Sequence, residues 1–408
     1  MKYLLIIGDG MADEPISELG NITPLEAAKK PFLDMLCEKG KIGTVRTVPH
    51  GMPAGSDTAI MSIFGCDPTI YLSGRAPLEL ADSGGFLPAG GAAYRCNMVS
   101  LGGDADLFSD MKMISHSAGS IEGEESDALV TWLFEQSEFA KLAKEAKISI
   151  RPGSSFRHLA VQEDADLDSI VLYPPHDHLG EQICSILPEG NANALVMREL
   201  MSLSFKLLSN HPINKKRTER NLLPANCIWF WAEGKGAALP SFTDRFSTGA
   251  TVSAVPLCRG IARLVGLGAV KVKTATGEWD TDYSAKARAA LNILNEHDFA
   301  AIHLEGPDEA THNNDLIHKI FAIECLSELV LRNVLLGLDA RSEDYRVLVL
   351  SDHMTYMKNG AHGEAPVPYM IYDSRESTGL GLSYSEKNAK QGEHLDSGTL
   401  LMPKLFMI

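Results

Sequence analysis

The sequence has a shortage of basic charge. Its 408 residues carry 37 lysines and arginines against 53 aspartates and glutamates, which gives a net charge of −16 and a pI near 5.3. Nucleic-acid affinity rests on a basic surface that neutralises phosphates, so this composition argues against a nucleic-acid-binding protein. A local basic pocket for a small anion remains compatible with it.

The sequence also lacks long apolar runs and paired-cysteine motifs. The apolar run Leu4 to Ile7 is closed at once by Gly8-Asp9-Gly10 and is too short for a signal peptide. No stretch approaches the about 20 apolar residues of a membrane-spanning helix. The seven cysteines are odd in number and scattered, without Cys-x-x-Cys spacing, which is typical of reduced thiols. We therefore expect a cytoplasmic protein with no membrane partner.

The length of the chain predicts roughly two domains, because a single core rarely extends over so many residues. A glycine-rich piece, Ser83 to Gly91, separates the first motifs from a middle region with few apolar runs that end in carboxylates. We interpret residues 92–226 as an inserted domain. Residues 1–91 and 227–408 would then form one discontinuous core.

Apolar runs and helical patterns alternate in this core. Tyr3–Ile7, Phe299–Leu304 and Arg346–Leu350 have the composition of buried strands. Apolar residues recur at helical spacing from Leu316 to Val330, so strand, helix and strand form a βαβ unit. The fold class is therefore α/β, with a central, mostly parallel sheet flanked by helices. Three further elements are expected: one helix from a Thr23 cap to Gly40, a strand at Cys227–Trp231 and a helix at Ala285–Leu294.

Acidic and imidazole side chains follow the predicted strands. Asp9 follows the first strand, Asp308 follows Phe299–Leu304, and Asp352-His353 follows the last run. The carboxyl ends of parallel strands meet at one edge of a sheet, which is where such folds bind ligands. His312 lies four residues after Asp308, so both side chains can point to one ion. Carboxylate and imidazole ligands suit Mn²⁺, Zn²⁺ or Co²⁺ and, less well, Mg²⁺.

Ser56 and His362 complete this candidate site. Ser56 stands at a loop-to-helix junction, where an incoming phosphate would meet the anion-attracting helix N-terminus. A hydroxyl bound to a metal becomes an effective nucleophile. Alone, Ser56 could be a helix N-cap, Asp9 an Asx turn and His362 a surface histidine. The coincidence of seven suitable side chains at predicted strand ends favours a site with two metal ions, which could clamp a phosphoryl group between them at roughly 3.5–4 Å separation.

These motifs resemble the archaeal-type cofactor-independent phosphoglycerate mutases of the alkaline phosphatase superfamily. The segments that carry the resemblance are Gly8–Asp13, Thr23–Lys29, Ser56–Ala59, Gly74–Glu79, His303–His312, Asp352-His353 and His362–Pro368. In the middle of the chain, His211–Arg217 and Ile228-Trp229 are similar to the bacterial branch, some of whose members have been proposed to act as homoserine kinases.

The resemblance implies an alkaline-phosphatase-like core with an inserted, mobile α+β cap domain and two divalent ions, of which manganese fits best and magnesium, cobalt and zinc stay open. One ion would be held by Asp308, His312 and His362, and the other by Asp9, Ser56, Asp352 and His353. Ser56 would take the phosphoryl group from 3-phosphoglycerate and return it to the other hydroxyl to give 2-phosphoglycerate. Closure would keep water from the phosphoserine.

Substrate binding needs cations and hydrogen-bond donors for a phosphate and a carboxylate. The candidates are Arg75, Arg157, His158, His176, Asp177, Asn214 and Arg217, with Asp177 as a candidate general base. Each could equally be a solvated loop residue.

Two other activities use the same core. A homoserine kinase-like phosphotransferase would need a phosphate donor, yet the chain has no Gly-x-x-x-x-Gly-Lys-Ser/Thr loop. A metal-dependent phosphatase would share every metal ligand and differ in admitting water. The expected partner in the first interpretation is a small phosphorylated three-carbon acid. The oligomeric state stays open.

Overall fold

A computed structural model describes residues 1–103, 107–153, 155–236 and 238–407. The chain divides into two compact units. The first unit consists of Met1–Leu72, Ala81–Ser83 and Ala238–Ile408, and the second of Ser73–Leu80 and Gly84–Ala237.

Strands and helices alternate along both units. The strands are β1 Lys2–Gly8, β2 Lys41–Val45, β3 Ala92–Gly102, β4 Lys112–Ser115, β5 Ile148–Arg151, β6 Arg157–Gln162, β7 Cys227–Lys235, β8 Gly249–Val252, β9 Gly268–Val270, β10 Phe299–Leu304, β11 Tyr345–Leu350, β12 Met354–Thr355, β13 His362–Gly363, β14 Val367–Asp373 and β15 Glu393–Leu395. The helices are α1 Pro24–Ala27, α2 Pro31–Lys39, α3 Ser56–Ile63, α4 Pro68–Tyr71, α5 Ala76–Asp82, α6 Glu124–Glu135, α7 Ser137–Glu145, α8 Ala192–Leu208, α9 Pro212–Glu219, α10 Phe242–Arg245, α11 Pro256–Leu264, α12 Tyr283–Glu296, α13 Gly306–His312, α14 Leu316–Cys325, α15 Arg332–Asp339, α16 Glu386–Ala389 and α17 Leu401–Phe406. Of the helices in the described ranges, none combines the length and the apolar character needed to cross a membrane.

The first unit is built around an eight-stranded sheet in the order β15-β2-β14-β11-β1-β10-β8-β9. β1 lies between β10 and β11 and is parallel to both, with Gly8 opposite Leu304 and Ile7 opposite Leu350. Leu4 to Ile7 are fully buried on both faces, as expected for a central parallel strand. The carboxyl ends of β10, β1 and β11 therefore meet at one edge. This confirms the α/β class and the parallel pairing predicted from the apolar runs.

The single helix expected between Thr23 and Gly40 is wrong. Thr23 does cap a helix, since its side chain accepts from the backbone of Glu26 in a capping box, but that helix ends at Ala27. A second helix begins at Pro31. The ring of Pro31 disfavours helical backbone at Lys30, so the chain starts a new helix instead of continuing the first.

The helix expected from Leu316 to Val330 exists but is longer and irregular. α14 passes into a π-helical segment, Leu326–Leu331, and continues as α15 to Asp339. Of the apolar face that the spacing predicted, Ile323, Leu326 and Val330 are fully buried, whereas Leu316 and Ile320 at its start are partly buried.

The second unit contains a five-stranded antiparallel sheet in which β3 pairs with β4, β6 and β7 and β5 extends it beyond β6. Its core is rich in aromatic side chains, including those of Trp229, Tyr94, Phe230 and Phe139. The strand expected at Cys227–Trp231 belongs to this sheet as β7, because it pairs with β3. The sequence analysis assigned residues 73–80, 84–91 and 227–237 to the core, and the contacts group them with the second unit. The roles assigned to the two domains stay predictions.

Candidate metal centre

Three neighbouring strands end in the acidic residues that the sequence singled out. Asp9 follows β1, and Asp352-His353 follows β11. Asp308 and His312 both lie on α13, a short helix after β10, and are one helical turn apart on the same face. Because β10, β1 and β11 are parallel neighbours, these side chains converge.

Two further elements bring Ser56 and His362 to the same place. Ser56 is the first residue of α3, and its Oγ lies 3.3 Å from Asp9 Oδ2 and 3.3 Å from His353 Nε2. His362 opens β13, which pairs with β12 directly after His353. All seven side chains predicted to form the metal site and nucleophile are thus in one cluster.

The first group of ligand atoms surrounds the Asp308 carboxylate. His312 Nε2 lies 3.1 Å from Asp308 Oδ2, and His362 Nε2 lies 3.4 Å from Asp308 Oδ1. The two histidine Nε2 atoms are 3.0 Å apart. Ligand atoms of Asp308, His353 and His362 lie within 4.8 Å of one another, so one cation could contact all three.

The second group consists of Asp9, Asp352 and His353, again with ligand atoms within 4.8 Å of one another. His353 Nε2 lies 3.4 Å from Asp9 Oδ1 and 3.4 Å from Asp352 Oδ2. Asp352 Oδ1 accepts from the backbone N–H groups of Gly10 and His353, at 3.0 and 2.8 Å, which leaves Oδ2 for the cluster. His353 belongs to both groups, whereas the sequence analysis had placed it in one.

The chemistry of these groups fits a divalent cation. Within the described residues, Asp9 Oδ1 and Asp352 Oδ2 are buried and have no hydrogen-bond partner. Burial, together with the nearby carboxylates of Asp352 and Asp308, raises the pKa of Asp9 well above its usual value. A divalent cation would supply the missing partner and offset the repulsion among the carboxylates.

The histidines are oriented to present Nε2 to the cluster. His362 Nδ1 lies 3.3 Å from the carbonyl oxygen of Ala54, and His353 Nδ1 lies 3.3 Å from that of Met354. These acceptors favour the tautomer with the proton on Nδ1, which leaves the Nε2 lone pair for a metal. Burial also lowers the pKa of His353, which favours the neutral ring that a metal ligand requires.

A chain of buried polar groups, which the sequence analysis did not predict, contacts Asp9. His303 Nε2 lies 3.1 Å from Asp9 Oδ2, and His303 Nδ1 lies 3.1 Å from Glu305 Oε1. Glu305 Oε2 accepts from Lys286 Nζ at 2.5 Å, and Ser253 Oγ donates to Glu305 Oε1 at 2.9 Å. Despite burial, Lys286 and His303 hold the pKa of Glu305 below its usual value. The available signal was a histidine, His303, inside an otherwise apolar strand, followed directly after the strand by Glu305.

Some of the predicted substrate-binding residues are accessible in the second unit. Arg157, His176 and Asp177 are exposed. The His176 ring lies 6.0 Å from that of His116 and 5.1 Å from that of Trp231. Partial burial, His176 and Arg157 lower the pKa of His116. The His116 ring contacts both the His176 and the Phe156 rings, and the Arg157 guanidinium lies over Phe156, so these side chains are neighbours on the second unit.

Other predicted substrate-binding residues have structural roles. His158 is fully buried, with Nε2 3.0 Å from Ser126 Oγ and Nδ1 accepting from the Gly153 N–H at 3.0 Å. Asn214 is buried and bonds backbone groups through both side-chain polar atoms. Arg217 is also buried and donates to Glu125 and to two backbone carbonyls. These hydrogen bonds all join the three side chains to other groups of the protein, and their role in substrate binding stays a prediction. Arg75 is exposed, immediately before α5.

Comparison with known proteins adds a family to this geometry. A protein-family model described as 2,3-bisphosphoglycerate-independent phosphoglycerate mutase matches residues 37–214. A Geobacter sulfurreducens protein, named as a probable 2,3-bisphosphoglycerate-independent phosphoglycerate mutase, is 40% identical over 408 residues, which cover 98% of each chain. A Methanosarcina barkeri protein named as the same mutase is 38% identical over 394 residues, which cover 96% of each chain.

Solved structures share the fold. The PH0037 protein from Pyrococcus horikoshii is similar with a TM-score of 0.81 at 28% identity, over 100% of this chain and 97% of that one. The cofactor-independent phosphoglycerate mutase from Thermoplasma acidophilum is similar with a TM-score of 0.65 at 24% identity, over 100% of this chain and 99% of that one. At that identity the second likeness concerns the fold.

Proposed function

The chain belongs to the 2,3-bisphosphoglycerate-independent phosphoglycerate mutases, and we propose that it interconverts 3-phosphoglycerate and 2-phosphoglycerate through a phosphoserine on Ser56. The observation that carries the mechanism is the position of Ser56 Oγ. This atom lies 3.3 Å from Asp9 Oδ2 and 3.3 Å from Nε2 of His353, the histidine that belongs to both groups of ligand atoms. No other reactive hydroxyl needs to be invoked.

Two divalent ions, with Mn²⁺ as the best candidate, would activate this serine. Asp308, His312 and His362 would hold one ion, and Asp9, Ser56, Asp352 and His353 the other. Such ions stabilise charge on a transferring phosphoryl group and lower the pKa of a nearby hydroxyl. The two overlapping groups of ligand atoms, and two buried carboxylate oxygens without a hydrogen-bond partner among the described residues, support two cation sites; the division of ligands between them follows the family resemblance.

The protein's own residues place the nucleophile. Ser56 begins α3, so the N-terminal end of this helix, with its partial positive charge, favours a phosphate next to Oγ. Oγ donates to Asp9 Oδ2, and Asp9 is in turn held by His303. In the first half-reaction, Oγ would bond to phosphorus as the bond from phosphorus to the C3 oxygen of the substrate breaks. In the second, the C2 oxygen of glycerate would bond to phosphorus as Oγ leaves.

The second unit would supply the cap and the substrate-binding groups. Arg157, His176 and Arg75 would bind the phosphate and carboxylate, with His116 as an added candidate, and Asp177 would exchange the proton of the glycerate hydroxyl. The exposed Arg157 and the exposed His176, whose ring lies beside those of His116 and Trp231, support this role. Exclusion of water would keep the phosphoserine from being hydrolysed. We also propose a cytoplasmic location, in which the seven free cysteines stay reduced.

Phosphorus NMR of 3-phosphoglycerate with the protein and Mn²⁺ tests this proposal. We expect 2-phosphoglycerate without free phosphate, and loss of conversion after EDTA treatment and in Ser56→Ala. Ser62→Ala is the matched control, since Ser62 lies on the same helix and its Oγ has no hydrogen-bond partner among the described residues. Free phosphate as the sole product would instead identify a phosphatase. Near wild-type turnover by Ser56→Ala would refute the phosphoserine mechanism.

A further inference from the structure

Thr355 lies between the two groups of ligand atoms. Its hydroxyl donates to Asp308 Oδ1 at 2.7 Å and lies 3.1 Å from His353 Nδ1. Asp308 belongs to the first group, and His353 is shared by both. Thr355 is fully buried, so water does not compete for these contacts. One hydroxyl therefore links the acid of one group to the imidazole common to both.

A buried ion pair holds the backbone that carries this hydroxyl. Lys319 Nζ, on α14, donates to Asp13 Oδ2 at 2.8 Å and to the carbonyl oxygen of Thr355 at 2.7 Å. Asp13 Oδ2 also accepts from the Met357 N–H at 3.0 Å. On the other side, the Thr355 N–H donates to the carbonyl oxygen of Ala12 at 3.1 Å. The segment from Thr355 to Met357 is thus attached to the chain after β1 by two direct hydrogen bonds and by a third link through Lys319.

The backbone at Gly10 lies close against the Thr355 hydroxyl. Gly10 has a φ of +58°, and a Cβ at this position would collide with Thr355 Oγ1 and lie 2.6 Å from Asp308 Oδ1. The backbone therefore packs directly against the hydroxyl and the carboxylate. Movement of the Thr355 side chain would disturb its contacts with Asp308 and His353, because close-packed interiors transmit strain.

The ion pair is not explained by stability alone. Lys319 is fully buried, and Asp13 is only 3% exposed, so both charged groups have lost their contact with water. Taking such a pair out of water costs about as much as its attraction returns, and apolar replacements are often neutral or stabilising. A role in fixing geometry accounts for both its burial and its contact with Thr355.

We propose that Lys319, Asp13 and Thr355 are positioning residues that set the spacing of the two ligand groups and so determine metal affinity. The inference rests on the proposed metal site. None of the three residues belongs to that site's predicted ligands, and their polar groups act through Asp308, His353 and the backbone between them.

Titration calorimetry with Mn²⁺ on the full-length, EDTA-stripped protein tests the hydroxyl. Thr355→Val keeps the shape of the side chain and removes the hydroxyl, and should weaken Mn²⁺ binding about 10–100-fold. Thr355→Ser keeps the hydroxyl and should rescue the affinity. Melting of the metal-free proteins separates misfolding from misplacement, and the Mn²⁺ EPR spectrum should change in Thr355→Val but not in Thr355→Ser. Wild-type affinity in Thr355→Val would overturn the inference.

The ion pair is tested by removing both partners, because Lys319→Met alone leaves a buried, unpaired carboxylate. The double variant Lys319→Met/Asp13→Asn should fold, but its affinity for Mn²⁺ should be at least about 10-fold lower than that of the wild type. This is the lower end of the usual loss when a residue that supports a metal ligand is replaced. Unchanged affinity would exclude the pair as a positioning device. Asp308→Asn tests the metal site separately from the positioning residues. If it abolishes binding while Thr355→Val binds normally, this inference fails alone; if Asp308→Asn also binds normally, the proposed metal site fails.

Discussion

Lys286 offers a sharp test of how the carboxylates behind the metal centre are held. Its Nζ lies 2.5 Å from Glu305 Oε2 and donates to the His303 carbonyl oxygen at 3.1 Å, and the side chains of Lys286 and Glu305 are 0% and 2% exposed. Lys286→Met keeps the length of the side chain but leaves the Glu305 carboxylate buried without its cation. Breaking a buried pair in this way costs about 3–5 kcal/mol. At about 2–4 °C per kcal/mol for a domain of this size, the melting temperature should fall by about 6–20 °C.

Thermal unfolding of the metal-free protein, followed by circular dichroism, measures this effect. Lys358→Met is the control, since Lys358 Nζ lies 2.6 Å from Glu14 Oε2 but both side chains are largely exposed, at 60% and 50%. We expect no resolvable shift for this solvated pair. Lys286→Met/Glu305→Gln should recover part of the lost stability, because no unpaired charge remains. Equal shifts for Lys286→Met and Lys358→Met would refute the reasoning that burial decides the cost.

Two further predictions concern pH and backbone packing. Burial opposes ionisation of Glu305, but Lys286 and His303 outweigh it and hold its pKa below the unfolded value of about 4.3. Its stabilising contribution is therefore complete above that pH and is lost progressively as the pH falls toward the folded pKa. The difference in melting temperature between the metal-free protein and Lys286→Met should therefore narrow as the pH is lowered from about 7 to 3, and parallel curves would contradict this. Gly10→Ala should weaken Mn²⁺ binding, because the new Cβ would collide with Thr355 and Asp308, whereas Gly20→Ala, with φ of +76° and nothing within 4 Å, bears only backbone strain. Equal Mn²⁺ affinities by calorimetry in these two variants would refute the packing argument.

The elements best predicted were those whose signal is local. β10 matches its apolar run residue for residue, and β1 and β11 extend theirs by one residue or two. A fully buried parallel strand needs apolar side chains on both faces, so its run is visible without knowledge of the partners. The helix break at Pro31 was also locally encoded, yet the strong Thr23 cap before it dominated the interpretation.

Less predictable were the residues whose role depends on distant partners. His158, Asn214 and Arg217 have side chains typical of anion binding, but the second unit buries all three against its own backbone and side chains. Polar residue type indicates what a side chain can bond, while burial decides whether a ligand can reach it. The exposed Arg157 and His176 differ from them in location and not in chemistry.

The sequence by itself determined the fold class and the convergence of Asp9, Asp308, Asp352 and His353, because strand period and strand ends are properties of short segments. Tertiary structure alone decided that His353 is shared by two groups, that Thr355 bridges them, and that Lys319 meets Asp13 across 306 residues of chain. Such contacts depend on which strands become neighbours and on how closely Gly10 lets the backbone approach, and no local pattern contains that information.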